Sequence, residues 1–146
     1  MSIFEPAPPP WPGRMLAVLR IVAGVVFISF GTMKMFGFPP PPPNVMPPFN
    51  VFSQIGLAAI LEVFGGTAIV LGVFTRPVAF VLAGEMAVAY FQFHFPTSVY
   101  PPVNMGTPAI LYCFIFLYLV AAGPGAWSVD GVIARGRESR LSPRAE

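Results

Sequence analysis

The chain has 146 residues, is 55% hydrophobic and carries a charged side chain at only 10% of its positions. An ordinary soluble domain is about 25% charged, so a disordered or highly charged chain is excluded, and the mean hydropathy of +0.73 points toward lipid rather than a water-soluble globule. The net charge is +2, but four of the eight basic residues lie between Arg135 and Arg144, which is a membrane-orientation signal before it is a nucleic-acid one.

Proline divides the sequence. Twelve of the 19 prolines fall within the first 48 residues. Residues 1–14 are expected to form a Pro-rich lead, without the basic start or small-residue cleavage site of a signal peptide. A first apolar stretch covers residues 15–36. Residues 37–51 follow as a Pro-rich outer loop, because no helix passes through the unbroken run Pro39 to Pro43 and then Pro47 and Pro48. Further apolar stretches cover about residues 52–74, 77–95 and 107–122. Pro77 and Pro108 sit in first-turn positions, where the missing N–H costs nothing. A hydrocarbon core of about 30 Å needs about 20 helical residues. The first three stretches meet that length, and the fourth borrows a turn.

The expected fold class is therefore all-α, an integral membrane bundle of four transmembrane helices over residues 15–126, followed by a basic tail over residues 127–146. Arg14, Arg76 and the four arginines of the tail fall on one side of such a bundle. Basic loops stay inside, so both termini are expected to be cytoplasmic, in a bacterial-type inner membrane, with the Pro-rich loops outside.

Charges within the spans carry the functional signal. Arg20, Gly24, Phe27, Gly31 and Lys34 recur at helical spacing and form one stripe on the first span. Glu62 shares a face of the second span with Gly65, Gly66, Ile69 and Val73. In the third span Glu85 aligns with Gln92, whereas His94 falls about half a turn away, on a face with Tyr90. At about 1.5 Å per residue both carboxylates lie near the midplane. A central charge costs about 2.5–3.5 kcal/mol to insert, so such groups should face the bundle interior and find partners. Two alternatives stand. Arg20 and Lys34 neutralise Glu62 and Glu85 and lock the helices, or the carboxylates handle protons in a polar pocket, with Tyr90, Gln92 and His94 as headgroup partners. Phe91, Phe93, Phe95, Phe114 and Phe116 pack, face lipid or wall a quinone cleft. One cysteine, Cys113, excludes an intrachain disulfide or CxxC pair, and with one histidine no metal centre is expected of this chain alone.

In order along the chain stand LRIVAGVVFISFGTMKMFGF, then LEVFGGTAIVLGVFTRPVAFVLAGEMAVAYFQFH, then LYLVAAGPGAWSVDG. With these segments the chain resembles the DoxX family of small four-helix membrane proteins over about residues 15–135. The proline-dense stretch Pro39–Pro48 departs from the pattern. The resemblance implies a membrane redox association, since DoxD-like members are subunits of a thiosulfate:quinone oxidoreductase. On that basis the chain is expected to be a quinone-facing subunit with Glu62 and Glu85 handling protons. It would bind no cofactor alone, with quinone as the candidate ligand beside a cofactor-bearing partner. The alternative is a non-catalytic accessory subunit of a larger respiratory or photosynthetic complex. Expected contacts are membrane lipid and other membrane or redox subunits, and not nucleic acid. Transport has weaker support, because no span carries a mid-helix proline.

Overall fold

Pro12 starts the first helix. The computed structural model, which describes residues 10–43 and 48–141, places it in the first turn of α1, Trp11–Phe36. Helix therefore begins four residues before the expected boundary at Met15. The missing proline N–H would have no helical partner in the first turn anyway. Of the expected Pro-rich lead, residues 1–9 lie outside the described residues, and Trp11 to Arg14 belong to the helix. Gly37 closes α1 in the left-handed region at φ +67°, where its N–H reaches the Met33 carbonyl at 3.0 Å. Residues 44–47 of the Pro-rich loop likewise lie outside the described residues.

Helix α2 spans Gln54–Leu71, 18 residues. Ser53 caps it by accepting the Gly56 N–H at 3.0 Å, and Gly72 ends it at φ +68°. Its middle turn, Leu61–Gly65, is a π turn. Helix α3 runs Thr75–Ala89 and continues through a second π turn, Tyr90–His94. Helix α4, Thr107–Ala122, starts with Pro108 in its first turn and ends at Gly123. The basic tail is itself largely helical, as α5, Val129–Leu141; Arg144 lies outside the described residues.

Helices α1 and α2 pack closely because glycines meet at the contact. A Cβ on Gly24 would stand 3.0 Å from the Gly66 carbonyl oxygen, and one on Gly31 would stand 2.9 Å from the Ala59 oxygen. Helix α3 packs along α4. The core joins all four through Phe27, Ile69, Leu82, Phe116 and Leu119. Phe27 lies edge-on to Phe116 with ring centroids 4.9 Å apart. Of the expected stripe on α1, Arg20, Gly24, Phe27 and Gly31 are buried and Lys34 is half-buried.

The outer surface carries Val22, Phe64, Phe80, Leu111 and Phe114, all exposed. So wide an apolar exterior needs an apolar surround. Two helices, α1 and α2, are long and apolar enough to cross a membrane, and α4 is apolar but 16 residues long. Among the described residues every regular element is helical.

Candidate functional site

Between α2 and α3, floored by the last turns of α1, lies a cavity of about 500 Å³. Its polar lining is Lys34, Gln54, Glu62, Glu85 and His94; Leu61, Met86, Ala89 and Phe93 contribute apolar wall. Leu57, Val81 and Val88 also line it and are exposed. The cavity thus opens sideways on the apolar exterior rather than only at the end of the bundle.

Both π turns border this cavity. Each inserts one residue into an α-helix, and so turns the following side chains by about 100° relative to an unbroken helix. Glu62 stands within the first. His94 ends the second. An unbroken helix would set His94 about half a turn from Glu85, as the spacing predicts. The extra residue reduces that angle to about 80°, and His94 lines the same cavity as Glu85. Gln92 moves the opposite way. It is exposed, and its amide oxygen accepts from the Gln54 side chain at the cavity rim. Tyr90 does not line the cavity. It packs on Phe91 and Phe95, at ring distances of 5.3 and 6.2 Å, and on the core. Of the three expected headgroup partners, His94 is therefore placed at the cavity wall and Gln92 only at its edge.

Glu62 is buried, with 2% of its side chain exposed, and forms an ion pair through Oε1 with Lys34 in the last turn of α1. This is the expected neutralisation of one carboxylate. Arg20, in contrast, touches neither. Its guanidinium donates to the carbonyls of Ile69 at 2.5 Å, Val70 at 2.6 Å, Pro124 at 2.8 Å, Trp127 at 2.9 Å and Ala126 at 3.4 Å. The expectation that Arg20 partners Glu62 or Glu85 is corrected. Two of its acceptors are carbonyls at the C-terminal end of α2. Such groups lack helical partners and sit at the negative end of the helix dipole, so a guanidinium fork is drawn there in preference to a carboxylate two turns away.

One ammonium thus serves two carboxylates. Glu62 Oε2 and both oxygens of Glu85 are buried without a hydrogen-bond partner, as is Thr75 Oγ1 far from the cavity. Buried polar atoms are nearly always partnered, so three orphaned oxygens on adjoining acids mark a site where a proton or a ligand's donor is missing.

His94 is held from behind. Its Nδ1 lies 2.9 Å from the Asn104 carbonyl. A carbonyl only accepts, so Nδ1 carries the proton shared with Asn104. Asn104 is itself buried and fixed, its amide donating to the Ser98 carbonyl at 2.7 Å and accepting the Gly106 N–H at 2.7 Å. A Cβ on Gly106 would stand 2.8 Å from the His94 Cβ, so glycine lets the loop close on the histidine. Sequence reasoning missed Gln54 and Asn104. For Asn104 the signal was a short polar residue two before glycine, a turn pattern set between prolines.

The remaining charges hold the opposite end of the bundle. Asp130 of α5 accepts the N–H of Phe74 at 2.9 Å and of Thr75 at 2.8 Å, capping α3. Burial works against its charge, but these bonds and the nearby Arg20 outweigh it and hold its carboxyl below the usual carboxylate range. Arg76 donates to the carbonyls of Val120 at 2.5 Å and Ala121 at 2.9 Å, in the last turn of α4. Among the described residues no three His, Cys, Asp or Glu side chains converge as metal ligands.

Comparison with known proteins agrees with the three sequence segments. The DoxX family profile matches residues 15–95, a stretch that contains Lys34, Glu62, Glu85 and His94. An uncharacterized protein of Haemophilus influenzae is 39% identical over 79% of this chain and 87% of its own length. Inner membrane protein YphA of Escherichia coli is 31% identical over 80% of this chain and 88% of its own length. Inner membrane protein YqjF of the same organism is 30% identical over 80% and 89%. No solved structure matches. The chain belongs to the DoxX family.

Proposed function

We propose that this DoxX protein is a quinone-facing subunit of a bacterial inner membrane, acting beside a partner that carries the electron-transfer cofactor. The observation that carries the reading is the side-opening cavity with orphaned carboxylate oxygens at its wall. A volume of about 500 Å³ falls within the usual range for small-molecule sites, about 300–1,000 Å³, and such sites combine apolar walls with a few polar groups. Leu61, Met86 and Phe93 would flank a ring, while Lys34 and His94 are placed to meet its oxygens. A quinone, when bound, supplies a two-electron, two-proton couple. Glu62 and Glu85 would take or give the protons, with Lys34 keeping the Glu62 charge tolerable so far from water. The apolar wall excludes competing water.

The location follows from the inner membrane names of two relatives and the apolar exterior. In this reading α1 to α4 are the four spans, with both termini and the Arg76 turn cytoplasmic by the placement of basic residues. The cavity then faces the outer leaflet. A second reading is a non-catalytic accessory subunit of a larger respiratory or photosynthetic complex. It is favoured by the Lys34–Glu62 pair, which ties α1 to α2 in the manner of a packing lock.

The test is labelling of the native membrane protein with a photoreactive quinone, with peptides mapped by mass spectrometry, alongside identification of co-purifying proteins. Label on residues 54–62 and 81–94 that is lost in Ala58→Trp, which fills the cavity, is the expected result. Label spread over the outer surface and indifferent to Ala58→Trp would refute the site. Recovery with an intact complex that keeps full activity without this chain would favour the accessory reading.

A further inference from the structure

The buried polar side chains stand at separate levels of the bundle. Arg20, Thr75 and Ser128 are buried at the end that carries α5, and Glu62 is buried at the cavity. Between these levels the interior is filled by Phe27, Ile69, Ala79, Leu82, Phe116 and Leu119, none more than 1% exposed. The layer is thick. Glu85 and Thr75 are separated along α3 by about 15 Å, at about 1.5 Å per residue. Hydroxyl side chains of the same stretch are turned to their own helices. Ser29 donates to the Val26 carbonyl at 2.6 Å, Thr32 to the Ser29 carbonyl at 3.2 Å and Thr67 to the Val63 carbonyl at 2.7 Å. From α4 come Tyr112 and Cys113, both half-buried, and the Tyr112 ring packs on Phe27 and Phe116 with centroids 5.2 and 5.7 Å apart. A close-packed apolar layer offers a proton neither a relay group nor room for water.

Toward the opposite end the polar groups are continuous. Lys34 of α1, Gln54 and Glu62 of α2, and Glu85 and His94 of α3 line a single cavity. Gln54 and Gln92 are exposed at its rim and bonded to each other. His94 is half-buried and tied to the outer loop through the Asn104 carbonyl. At about 30 Å³ per water, the cavity has room for on the order of ten waters among these groups, and an imidazole is a ready proton shuttle.

We propose that Glu62 and Glu85 exchange protons through one end of the bundle alone, the end away from α5, by way of His94 and the Gln54–Gln92 rim. The apolar layer seals them from the other end. The inference rests on the reading of these acids as proton-handling groups and adds a side to it. On the orientation argued above that side is the outer one, so protons exchanged with a quinone come from, or go to, the outside.

The experiment uses the full chain in sealed liposomes, sorted by a C-terminal epitope so that the tail points one way, with the two pH values set independently by impermeant buffers. The probe is dicyclohexylcarbodiimide, which enters from the bilayer and adds to a carboxyl group only while that group is protonated. Its stable acylurea on Glu85 is followed by mass spectrometry. The expected result is that the labelling rate falls at least about tenfold as the pH on the side away from the tail rises from about 5.5 to about 9.5, a range that brackets strongly perturbed carboxyl groups. The same change on the tail side should alter it less than about twofold. A rate that follows the tail-side pH, or both sides equally, overturns the one-sided path and leaves the quinone-facing reading standing, because the photoreactive quinone scores that reading separately. A rate indifferent to both sides, or no label on Glu85 at any pH, overturns proton exchange at this acid and the path with it.

Discussion

Replacing Arg20 by methionine should unfold the end of the bundle opposite the cavity. The Arg20 side chain is fully buried, and its five contacts join three separate pieces of chain: α1, the end of α2, and the turn at residues 124–127. Methionine fills much of the same volume and makes none of those bonds, so packing loss is small and the hydrogen-bond loss is isolated. Each bond from a charged donor is worth about 1.5–3 kcal/mol, but bonds from one guanidinium do not add. Removing one side of a buried charged network costs about 3–5 kcal/mol in practice. Against a total stability of about 5–15 kcal/mol, that is about a fifth of the total at the least. Arg20→Lys keeps the charge but offers three donors from a single point, and should lose roughly half as much. Equilibrium unfolding in mixed detergent micelles, followed by helical circular dichroism, reads the difference. A midpoint for Arg20→Met within about 1 kcal/mol of the native protein would mean that the carbonyls find other partners and that the guanidinium does not hold the fold.

Three further outcomes follow from the same geometry. Lys34→Met leaves Glu62 buried without its partner, costing about 3–5 kcal/mol, whereas Lys34→Met with Glu62→Leu should recover most of it; a double variant no better than the single would show that the pair is not the source of the loss. Gly31→Ala places a Cβ 2.7 Å from Val63 Cγ2 and 2.9 Å from the Ala59 oxygen, so α1 and α2 must separate at a cost of about 1–3 kcal/mol, and an unchanged unfolding midpoint would contradict that contact. Asp130 has a lowered folded value, so its contribution is complete above the ordinary Asp value of about 3.9 and is lost as pH falls through the folded one. Asp130→Ala should therefore cost about 1 kcal/mol at neutral pH, as a lost helix cap does, and should match the native protein once the acid is protonated; a difference that persists at low pH would refute the capping role.

Much of the fold was legible because membrane-type helices advertise themselves. Length, apolarity and proline placed four helices to within a few residues, and the spacing Arg20, Gly24, Phe27, Gly31 gave the buried face of α1 because α1 is a regular helix from end to end. The face assigned to α3 was half right. Glu85 fell where a period of 3.6 puts it, but His94 and Gln92 did not, since a π turn lies between. Nothing in YFQFH announces that turn. Its last residue is held by a tertiary contact, the Asn104 carbonyl against the histidine ring, which the local sequence does not encode. Arg20 failed for another reason. Charge counting pairs cations with carboxylates, yet helix ends are acceptors too, and their positions are fixed only when the helices are packed.

The two cations on the inward stripe of α1 thus divide the molecule's electrostatics. Arg20 meets backbone carbonyls and lies near the capping Asp130, so its charge is consumed by the fold, and α2, α3 and α5 converge there. Lys34, two heptads further along the same face, meets one of two carboxylates and leaves the other without a donor. Had both cations paired with Glu62 and Glu85, the bundle would be neutral throughout, with no group left to exchange a proton. Because helix ends claim Arg20, the opposite half of the bundle keeps two carboxylates against one ammonium, beside an apolar cavity open to the outer surface. The imbalance is a consequence of how the helix termini are satisfied, and it leaves Glu85 without an ion-pair partner.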